Sequence, residues 1–600
     1  MKHFVVVFAI FFLLVEPGSG SGNGNGSRNR SQNRNWWQEA IFYQIWPASF
    51  RDTNADGIGD LAGIALQMPY FRKLGINGLW LTPIFQSPSY HGYDASDFLE
   101  IDRRYGSQQD FIHLLEAAHT NQIRIIVDLV INHVSNRHEW FRRAQKLEMP
   151  FSNYFVWKSE VDLEGSSWGK PWLSPTASTW RDVWHFDKAR LEEHRRQFPA
   201  WEDRDRPVYY YAVFSPTQPD LNFDEPLLVD EILKIARYWL ELGVDGFRLD
   251  GARYLHEEVQ ENLIIQADSK KTIEFWLGFG RFLKKVKPDA FLIGEIWHTN
   301  ETISKYYPNG QQGLDAAFNF TFSNEIIFAL TSNLIDEDKG GVYASLRRKH
   351  TLGDALVADF ESKPGQIPSN FYSPFLSNHD QLRVSNQLGG KPGLLKSVAS
   401  MLFTLPGTPF LYYGEEIGMD QPSVADPKDF YDDLFKRAPL FWNEGLNAGF
   451  GDGQLLWVDD AKWFPWRPNH QPWWNAFYEK TTVLRPDFSI ARQLTDSASL
   501  LSHYRRLIAL RKQRPELRAS ECASLSFLPG NGVVAAYRRV DGQDNESFVV
   551  INPTEAVKTI RLPEPGRYQD LISEQPIATQ MDGSIEVGAF QSMILSKFRR

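Results

Sequence analysis

Eight short apolar runs, separated by helix-like segments, constrain the fold of this chain more than any other feature. The runs are Ile41–Trp46, Gly78–Leu81, Arg124–Ile131, Val244–Leu249, Ala290–Glu295, Leu314–Phe318, Tyr372–Leu376 and Pro409–Tyr413. Segments such as Pro226–Leu242 and Leu500–Lys512 carry apolar residues at three- and four-residue spacing, which predicts amphipathic helices. Repeated strand–helix units build parallel sheets, and eight of them close into a barrel. The sequence therefore predicts an α/β protein with a (β/α)8 TIM barrel.

Two regions depart from this alternation. From Asn136 to about Asn222 the chain is aromatic, charged and rich in proline, and so long a connection is usually functional or a small domain. After about Ser520, short strands such as Val533–Tyr537 and Phe548–Ile551 flank a turn signal at Asp541-Gly542. We assign residues 36–134 and 220–518 to the barrel, 135–219 to a domain inserted after strand 3, and 519–600 to a C-terminal antiparallel β-domain.

The N-terminal segment predicts secretion. Lys2 and His3 precede an apolar run from Phe4 to Val15, and small residues follow, as in a signal peptide, which we place at residues 1–20. The run is too short to span a bilayer, although a membrane anchor is the competing interpretation. Residues 21–35 are almost entirely Gly, Ser, Asn, Arg and Gln, so we expect a disordered leader.

Charge and cysteine content limit the partners of the chain. The net charge of −10 and the pI of about 5.8 argue against nucleic acid or an anionic membrane surface, because both need a basic patch. The single cysteine excludes an intrachain disulfide, so the fold relies on its core. In a secreted protein the sequons would be candidate glycosylation sites; they lie at Asn25, Asn29, Asn300, Asn319 and Asn545.

Three carboxylates stand where predicted strands end. Asp250 closes the stretch Gly246–Asp250, Glu295 closes Ile293–Glu295, and Asp380 follows His379. The carboxyl ends of parallel strands meet at one face of a barrel, so one site is expected to contain all three acids. Pairs of such acids hydrolyse glycosidic bonds. Any one of them alone would also fit a helix cap or a solvated loop.

The neighbours of these acids suggest different tasks. Residues two apart on a strand point the same way, so Arg248 should lie beside Asp250 and favour the ionised carboxylate that a nucleophile needs. Glu295 ends an apolar strand near Trp297, surroundings that raise the pKa of a carboxyl group and suit a general acid. A separation of about 5 Å between two such acids would give a retaining, double-displacement mechanism.

With these residues in place, the chain closely resembles the α-amylase superfamily of glycoside hydrolases (glycoside hydrolase family 13), in its α-glucosidase and oligo-1,6-glucosidase branch. The resemblance runs from Trp36 to about Arg514, and its motifs occur in order: Asp128–His133, Gln218–Asn222, Gly246–Asp250, Gly294-Glu295 and Asn378–Asp380. It implies that Asp250 is the nucleophile, Glu295 the acid/base, and Asp380 the acid that grips the sugar hydroxyls. It also implies that His133, Arg248 and His379 line the subsite of the cleaved glucose.

Two further motifs bear on the shape of the site. His91–Asp94 resembles the family loop whose tyrosine, here Tyr93, stacks on the bound glucose. Arg437–Trp442 resembles a motif of exo-acting members whose arginine pairs with the aspartate of that loop. If Asp94 and Arg437 meet, they would close the cleft behind a terminal glucose; the alternative is a structural surface ion pair. Gly251 stands where valine accompanies α-1,6 cleavage in this family, so it favours α-1,4 or sucrose-type bonds.

A loop near the first strand predicts a structural calcium site. Oxygen-bearing residues alternate from Asp52 to Asp60, with Gly57 allowing a sharp turn, as in the first half of a calcium-binding loop. The twelfth position is Gly63, so the complete helix–loop–helix motif is absent. The family resemblance implies Ca²⁺ or Mg²⁺ held by Asp52, Asn54, Asp56, Asp60 and the carbonyl of Ile58. A metal-free, aspartate-rich turn is the alternative.

Together these features predict a secreted, retaining exo-α-glucosidase acting on maltose-type or sucrose-type α-glucosides. An endo-acting α-amylase is the alternative within the enzymes. A non-catalytic relative, such as a transporter heavy subunit or a toxin receptor, is the alternative from another class, but all three acids are present here. The sequence leaves the oligomeric state open.

Overall fold

The computed structural model describes residues 35–598, apart from 175, 201, 261–262, 308–312, 332–351, 362–367, 422–435, 453–487, 520–521 and 529–531. The predicted signal peptide and, except for Asn35, the predicted leader lie outside the described residues. Within the described part of the chain, no helix combines the length and the apolar character needed to cross a membrane.

A parallel eight-stranded sheet forms the centre of the molecule. Its strands are β1 (Phe42–Ile45), β2 (Gly78–Leu81), β3 (Arg124–Leu129), β4 (Gly246–Leu249), β5 (Phe291–Gly294), β6 (Ala316–Phe318), β7 (Tyr372–Ser373) and β8 (Phe410–Tyr412). Each strand from β1 to β6 pairs with the next one along the chain, and β8 pairs with β1, so β7 and β8 are the two ends of the sheet. A parallel bridge between Phe375 and Phe410 joins the two ends of the sheet. The structure confirms the predicted TIM barrel and its eight strands. The bounds of β2 are those predicted, and each of the other seven strands is shorter than the predicted run.

The strands are apolar almost throughout because both of their faces are covered. The cluster inside the barrel contains Phe42, Trp80, Ile126, Phe291, Phe318 and Phe410, among other buried residues. The rings of Phe42 and Phe410 stack with their centres 4.5 Å apart. A Cβ atom at Gly78 would lie 2.7 Å from the Phe42 ring, so glycine is needed there for the strands to close on this aromatic core.

Helices surround this sheet. The helices within the described residues are Leu61–Leu66, Met68–Leu74, Gln108–Thr120, Glu139–Gln145, Glu160–Leu163, Lys188–Gln197, Pro226–Leu242, Lys270–Val286, Asn300–Ser304, Phe320–Thr331, Leu352–Glu361, Val384–Gln387, Pro392–Thr404, Ile490–Thr495 and Leu500–Gln513. The helix Pro226–Leu242 has its predicted bounds because Pro226 opens its first turn and Gly243, at φ 123°, ends it. The predicted helix Leu500–Lys512 extends one residue further, to Gln513.

The long connection between β3 and the helix Pro226–Leu242 contains its own small sheet. Its antiparallel strands are Trp157–Ser159, Val208–Tyr211 and Trp184–Phe186, in that spatial order. An antiparallel bridge between His133 and Asp220 joins the two ends of this connection beside the barrel. Two short hairpins follow other barrel strands: Phe85–Gln86 with Asp97–Ile101, and Glu258–Gln260 with Leu263–Ile265.

The C-terminal region forms a six-stranded antiparallel sheet, as predicted. In spatial order its strands are Cys522–Phe527, Ala535–Asp541, Glu546–Ile551, Ser592–Lys597, Arg567–Asp570 and Pro576–Ala578. The strands Lys558–Arg561 and Ser584–Val587 pair separately. The sheet contacts the barrel helix Pro392–Thr404, where the Tyr537 hydroxyl lies 2.5 Å from Thr404 Oγ1.

Candidate active site

Two of the predicted catalytic acids directly follow adjacent barrel strands. Asp250 comes immediately after β4 and Glu295 immediately after β5. In the parallel register of these strands, Leu249 lies opposite Gly294, so the two acids begin at the same level of the barrel. Asp380 lies on the loop after β7, close enough for its charge to raise the pKa of Glu295. The structure therefore brings the three acids to one face.

One buried guanidinium group connects the acids. Arg248 is 1% exposed, and its Nη1 atom donates to Oδ1 of Asp250. The same Nη1 atom lies 3.2 Å from Oδ1 of Asp128, while Nη2 lies 3.0 Å from Oε2 of Glu295. A buried charge needs such compensation, because desolvation of an unpaired ion is very unfavourable. The predicted nucleophile and the predicted acid are thus held by one group.

The two contacts of the Glu295 carboxyl group with nitrogen donors are made by the same oxygen atom. Its Oε2 atom accepts from the backbone N–H of Gly251 at 3.0 Å and lies 3.0 Å from Arg248 Nη2. Gly251 adopts the left-handed φ of 53°, a conformation that favours glycine. Burial raises the pKa of Glu295 to about 7, although the Arg248 charge opposes the shift. We infer that the proton of a neutral Glu295 sits on Oε1, where it suits general acid catalysis.

Asp128 also belongs to the site, although the motif Asp128–His133 led us to predict a role for His133 alone. It lies on β3 directly opposite Arg248 in the strand register and is fully buried. It accepts hydrogen bonds from Trp80 Nε1 at 3.2 Å and from the Tyr93 hydroxyl at 2.8 Å. Burial raises the pKa of Asp128 to about 7, against the effect of Arg248. Its place near the end of a predicted strand was a signal that could have identified it.

Three residues predicted to bind the substrate form one wall. The ring of Tyr93 stacks on that of His379, with centres 5.3 Å apart and planes at 3°. The Tyr93 hydroxyl lies 2.5 Å from His379 Nε2. His133 Nε2 lies 2.8 Å from the Tyr93 carbonyl oxygen and 3.0 Å from Gln218 Nε2. Burial lowers the pKa of His133, so this wall presents a neutral imidazole.

Arg437 pairs with Asp380 rather than with Asp94. Its Nη2 atom lies 3.0 Å from Oδ1 of Asp380, and its guanidinium lies 4.3 Å from the centre of the Trp46 ring. The Asp94 carboxylate accepts hydrogen bonds from the hydroxyl groups of Ser87, at 2.7 Å, and Ser89. The stack on Trp46 directs Arg437 toward Asp380, while serines of its own loop satisfy Asp94. The predicted contact between Asp94 and Arg437 is therefore absent from the described structure. Arg437 pairs with Asp380 instead, and Asp94 bonds to Ser87 and Ser89.

The predicted calcium loop is ordered by its own hydrogen bonds. Asp52 Oδ2 accepts from Gly57 N, Asn54 Oδ1 from Asp56 N, and Asp56 Oδ1 from Ile58 N, each at 2.9 Å. Asp60 caps the helix Leu61–Leu66 through Gly63 N at 2.6 Å. Among the described residues, no three acidic, histidine or cysteine side chains gather closely enough to hold a metal. A cation here would therefore also need the Asn54 amide and Ile58 carbonyl oxygens.

A second group of oxygen atoms lies beside the active site. Both carboxylate oxygens of Asp220 and the Oδ1 atom of Asn132 are buried and lack a hydrogen-bond partner of good geometry. Burial raises the pKa of Asp220 well above its ordinary value, and the charge of Glu257 adds to the shift. Oxygen ligands of this kind suit a hard cation, so Asp220 and Asn132 would be an alternative to the Asp52–Asp60 loop if the protein binds a structural metal.

The amino-acid sequence is similar to those of known proteins along most of its length. The sequence profile of the alpha-amylase catalytic domain matches residues 44–520. The chain belongs to the alpha-amylase family. It is 30% identical over 565 residues to Alpha-amylase 3 of Dictyoglomus thermophilum, and the match covers 94% of each protein. It is 28% identical over 575 residues to the oligo-1,6-glucosidase of Parageobacillus thermoglucosidasius, covering 88% of this chain and 92% of that protein.

A solved structure of another protein has a similar fold. The trehalose-6-phosphate hydrolase of Bacillus licheniformis has a TM-score of 0.73 and 25% sequence identity, covering 94% of this chain and all of its own. This member of the alpha-amylase family is accordingly a glycoside hydrolase that acts on α-glucosides. Because the three relatives are named for different substrates, they leave the substrate of this chain open.

Proposed function

We propose that this protein is a secreted, retaining exo-α-glucosidase that releases terminal glucose from maltose-type oligosaccharides or sucrose. The observation that carries the proposal is the Arg248 guanidinium, which bonds Asp250 through Nη1 and lies 3.0 Å from Glu295 through Nη2. Retaining enzymes hold their two carboxyl groups about 5–5.5 Å apart, and inverting enzymes about 6.5–9.5 Å. Two acids on one guanidinium support the shorter spacing.

In the proposed reaction the acids act in two steps. Asp250 attacks the anomeric carbon, and Glu295 gives its proton to the departing oxygen atom, which leaves a glucosyl ester on Asp250. Water then attacks the same carbon, Glu295 takes a proton from it, and Asp250 is released as a carboxylate. In this proposal Asp380, whose side chain is 30% exposed beside the buried Arg437, binds sugar hydroxyl groups.

The loop that carries Tyr93 supports exo action. Asp94 is 3% exposed and is bonded by Ser87 and Ser89, and Arg104 Nη1 donates to the Ser89 carbonyl oxygen at 2.7 Å. A loop held so firmly beside Tyr93 would close the site behind a terminal glucose. An endo-acting α-amylase, the alternative, needs a groove open at both ends so that an internal bond can enter.

A substrate panel tests this proposal. Maltose, sucrose, isomaltose, trehalose and starch are incubated with the enzyme, and released glucose is measured together with starch viscosity. Rapid glucose release from maltose or sucrose, initially as the α-anomer, is expected. A rapid fall in starch viscosity without glucose would overturn exo action, and initial β-glucose would overturn retention. The Asp250→Ala variant, expected to be inactive, controls for contaminating glucosidases.

Secretion and a structural Ca²⁺ at Asp52–Asp60 are also part of the proposal. Secretion is supported by the N-terminal sequence, and the ion by the oxygen-rich loop. Only some sequons would be glycosylated, because Asn300 and Asn319 are each 2% exposed and their amides donate to Asp359. Export, cleavage and glycan occupancy are measured by mass spectrometry of the protein from culture medium; retention of residues 1–20 would overturn the signal peptide.

A further inference from the structure

Gln44 is a buried polar residue to which no role has been given so far. It lies on β1, is 1% exposed, and places its amide nitrogen 2.7 Å from Nδ1 of His379. These residues are 335 positions apart in the chain. His379 itself is fully buried and belongs to the wall of the site. Gln44 therefore contacts the side of the imidazole that faces away from Tyr93.

The other nitrogen of His379 faces groups that accept hydrogen bonds. Nε2 lies 3.1 Å from Oδ2 of Asp380 and 2.5 Å from the Tyr93 hydroxyl oxygen. The Tyr93 hydroxyl in turn donates to Asp128 Oδ2 at 2.8 Å. An ionised carboxylate only accepts, and the Tyr93 hydrogen is used by Asp128. When Asp128 and Asp380 are ionised, these contacts therefore favour a hydrogen on Nε2 of His379.

We propose that Gln44 is a positioning residue that holds His379 as a neutral imidazole with its hydrogen on Nε2. The Gln44 amide N–H donates to Nδ1, so that this nitrogen keeps its lone pair and the ring cannot rotate. Such a contact on one ring nitrogen determines which form the other nitrogen takes. His379 then offers an N–H donor on the side of Asp380, where a sugar hydroxyl would accept it. The role toward sugar rests on the proposed function.

The charges around His379 come from several elements. Asp380 belongs to its own loop, and Asp128 acts from β3 through Tyr93. Arg248 on β4 lies 5.8 Å from the centre of the Tyr93 ring, and Arg437 donates from Nε to the His379 carbonyl oxygen at 3.1 Å. Of these charged groups Asp380 contacts the ring itself, while Asp128, Arg248 and Arg437 act through Tyr93 or the His379 backbone. Gln44 adds a neutral donor, which favours the neutral form of the imidazole over the imidazolium.

Two substitutions at this position test the proposal by kinetics. Gln44→Glu places an acceptor against Nδ1 and draws a second hydrogen onto the ring, while Gln44→Met keeps the length of the side chain and removes the donor. We expect a fall in kcat/KM of about 10- to 100-fold in both, by analogy with the hydrogen-bond partners of metal-binding histidines. Gln44→Glu should also change the pH profile of kcat/KM.

A matched substitution separates positioning from loss of stability. Thr408→Val removes a fully buried hydrogen bond to the Trp37 carbonyl oxygen, ahead of β8 and at the opposite end of the barrel from the site. It should lower the thermal midpoint without changing the pH profile. If both Gln44 variants behave like Thr408→Val, with only the midpoint affected, the positioning role is overturned.

Neutron diffraction of the wild-type protein provides a test that does not depend on the substrate. The expected result is deuterium on Nε2 of His379 and none on Nδ1. Deuterium on Nδ1 would overturn the proposal, because Gln44 would then present its oxygen atom. If the panel shows no α-glucosidase activity while the deuterium lies on Nε2 alone, the proposed function fails and the role of Gln44 in fixing the imidazole stands.

Discussion

Arg248 and Glu295 meet through a single pair of atoms, Nη2 and Oε2, 3.0 Å apart. The other terminal nitrogen of Arg248 serves Asp250 and Asp128. A cation shared by three acids does more than neutralise charge, because it sets how far apart two of them can lie. The same contact also leaves Glu295 with one engaged oxygen and one available for proton transfer. The orientation of both acids thus depends on one side chain.

Replacing Arg248 by lysine should therefore damage both activity and stability. A lysine ammonium is a compact charge and cannot span the positions of Nη1 and Nη2 at once. We expect kcat/KM to fall by about 10²- to 10³-fold through misplacement of the acids. Removal of one partner from a buried ion pair destabilises a protein by about 3–5 kcal/mol, and lysine, which keeps the charge but loses a contact, should cost less than this. Steady-state kinetics and thermal unfolding measure the two effects.

The exposed pair of Arg195 and Asp205, with side chains 48% and 61% exposed, provides the control. Arg195→Lys should leave both kinetics and the thermal midpoint nearly unchanged, because exposed pairs contribute little. Activity of Arg248→Lys within a few-fold of wild type would contradict the bridging role of Arg248.

The pH dependence of the reaction should report Glu295. Burial raises the pKa of this group to about 7, so the protonated form that the first step requires persists up to neutral pH. As pH rises through this value the proton is lost, and kcat/KM should fall about ten-fold for each further pH unit. The measurement is a pH profile of kcat/KM for the best substrate in the panel.

Glu295→Ala tests the assignment of that proton. With α-glucosyl fluoride, whose leaving group needs no protonation, the variant should keep its first step, while hydrolysis of maltose should be lost. An equal loss on both substrates would contradict the role of Glu295 as the acid.

Much of this site could be predicted because the signals were local. Apolar runs gave the eight strands, and strand periodicity placed Arg248 beside Asp250, as the structure shows. Gln44 could not be found in that way, since its partner His379 is brought to it only when β1 and the β7 loop meet. The pairing of Arg437 with Asp380 was missed for the same reason, because it depends on the stack with Trp46.

Gly251→Ala should shift the pH profile through the backbone. A Cβ atom there would have space, since its nearest neighbour is a Phe214 ring atom at 3.5 Å, but φ is 53°. A non-glycine residue in this region costs about 1–2 kcal/mol, and relief of that strain would turn the amide away from Glu295. Loss of a donor to the carboxylate raises the pKa of Glu295, so the high-pH limb of kcat/KM should move to higher pH.

Gly389→Ala is the matched control, because Gly389 has φ 64° and open space around its Cβ position. Both variants should lose similar stability, and only Gly251→Ala should shift the profile. Identical pH profiles in the two variants would show that the Gly251 amide does not tune Glu295.

Removal of calcium should lower the thermal midpoint of the protein. A ligand that binds only the folded state at 100 times its Kd stabilises that state by about 2.7 kcal/mol. We expect EDTA to lower the midpoint by about 2–4 °C and excess Ca²⁺ to restore it. Asp52→Ala should abolish this response if the ion lies in the Asp52–Asp60 loop, whereas Asp220→Asn should abolish it if the ion binds beside Asn132. An unchanged midpoint after EDTA in the wild-type protein would contradict a structural ion at either place.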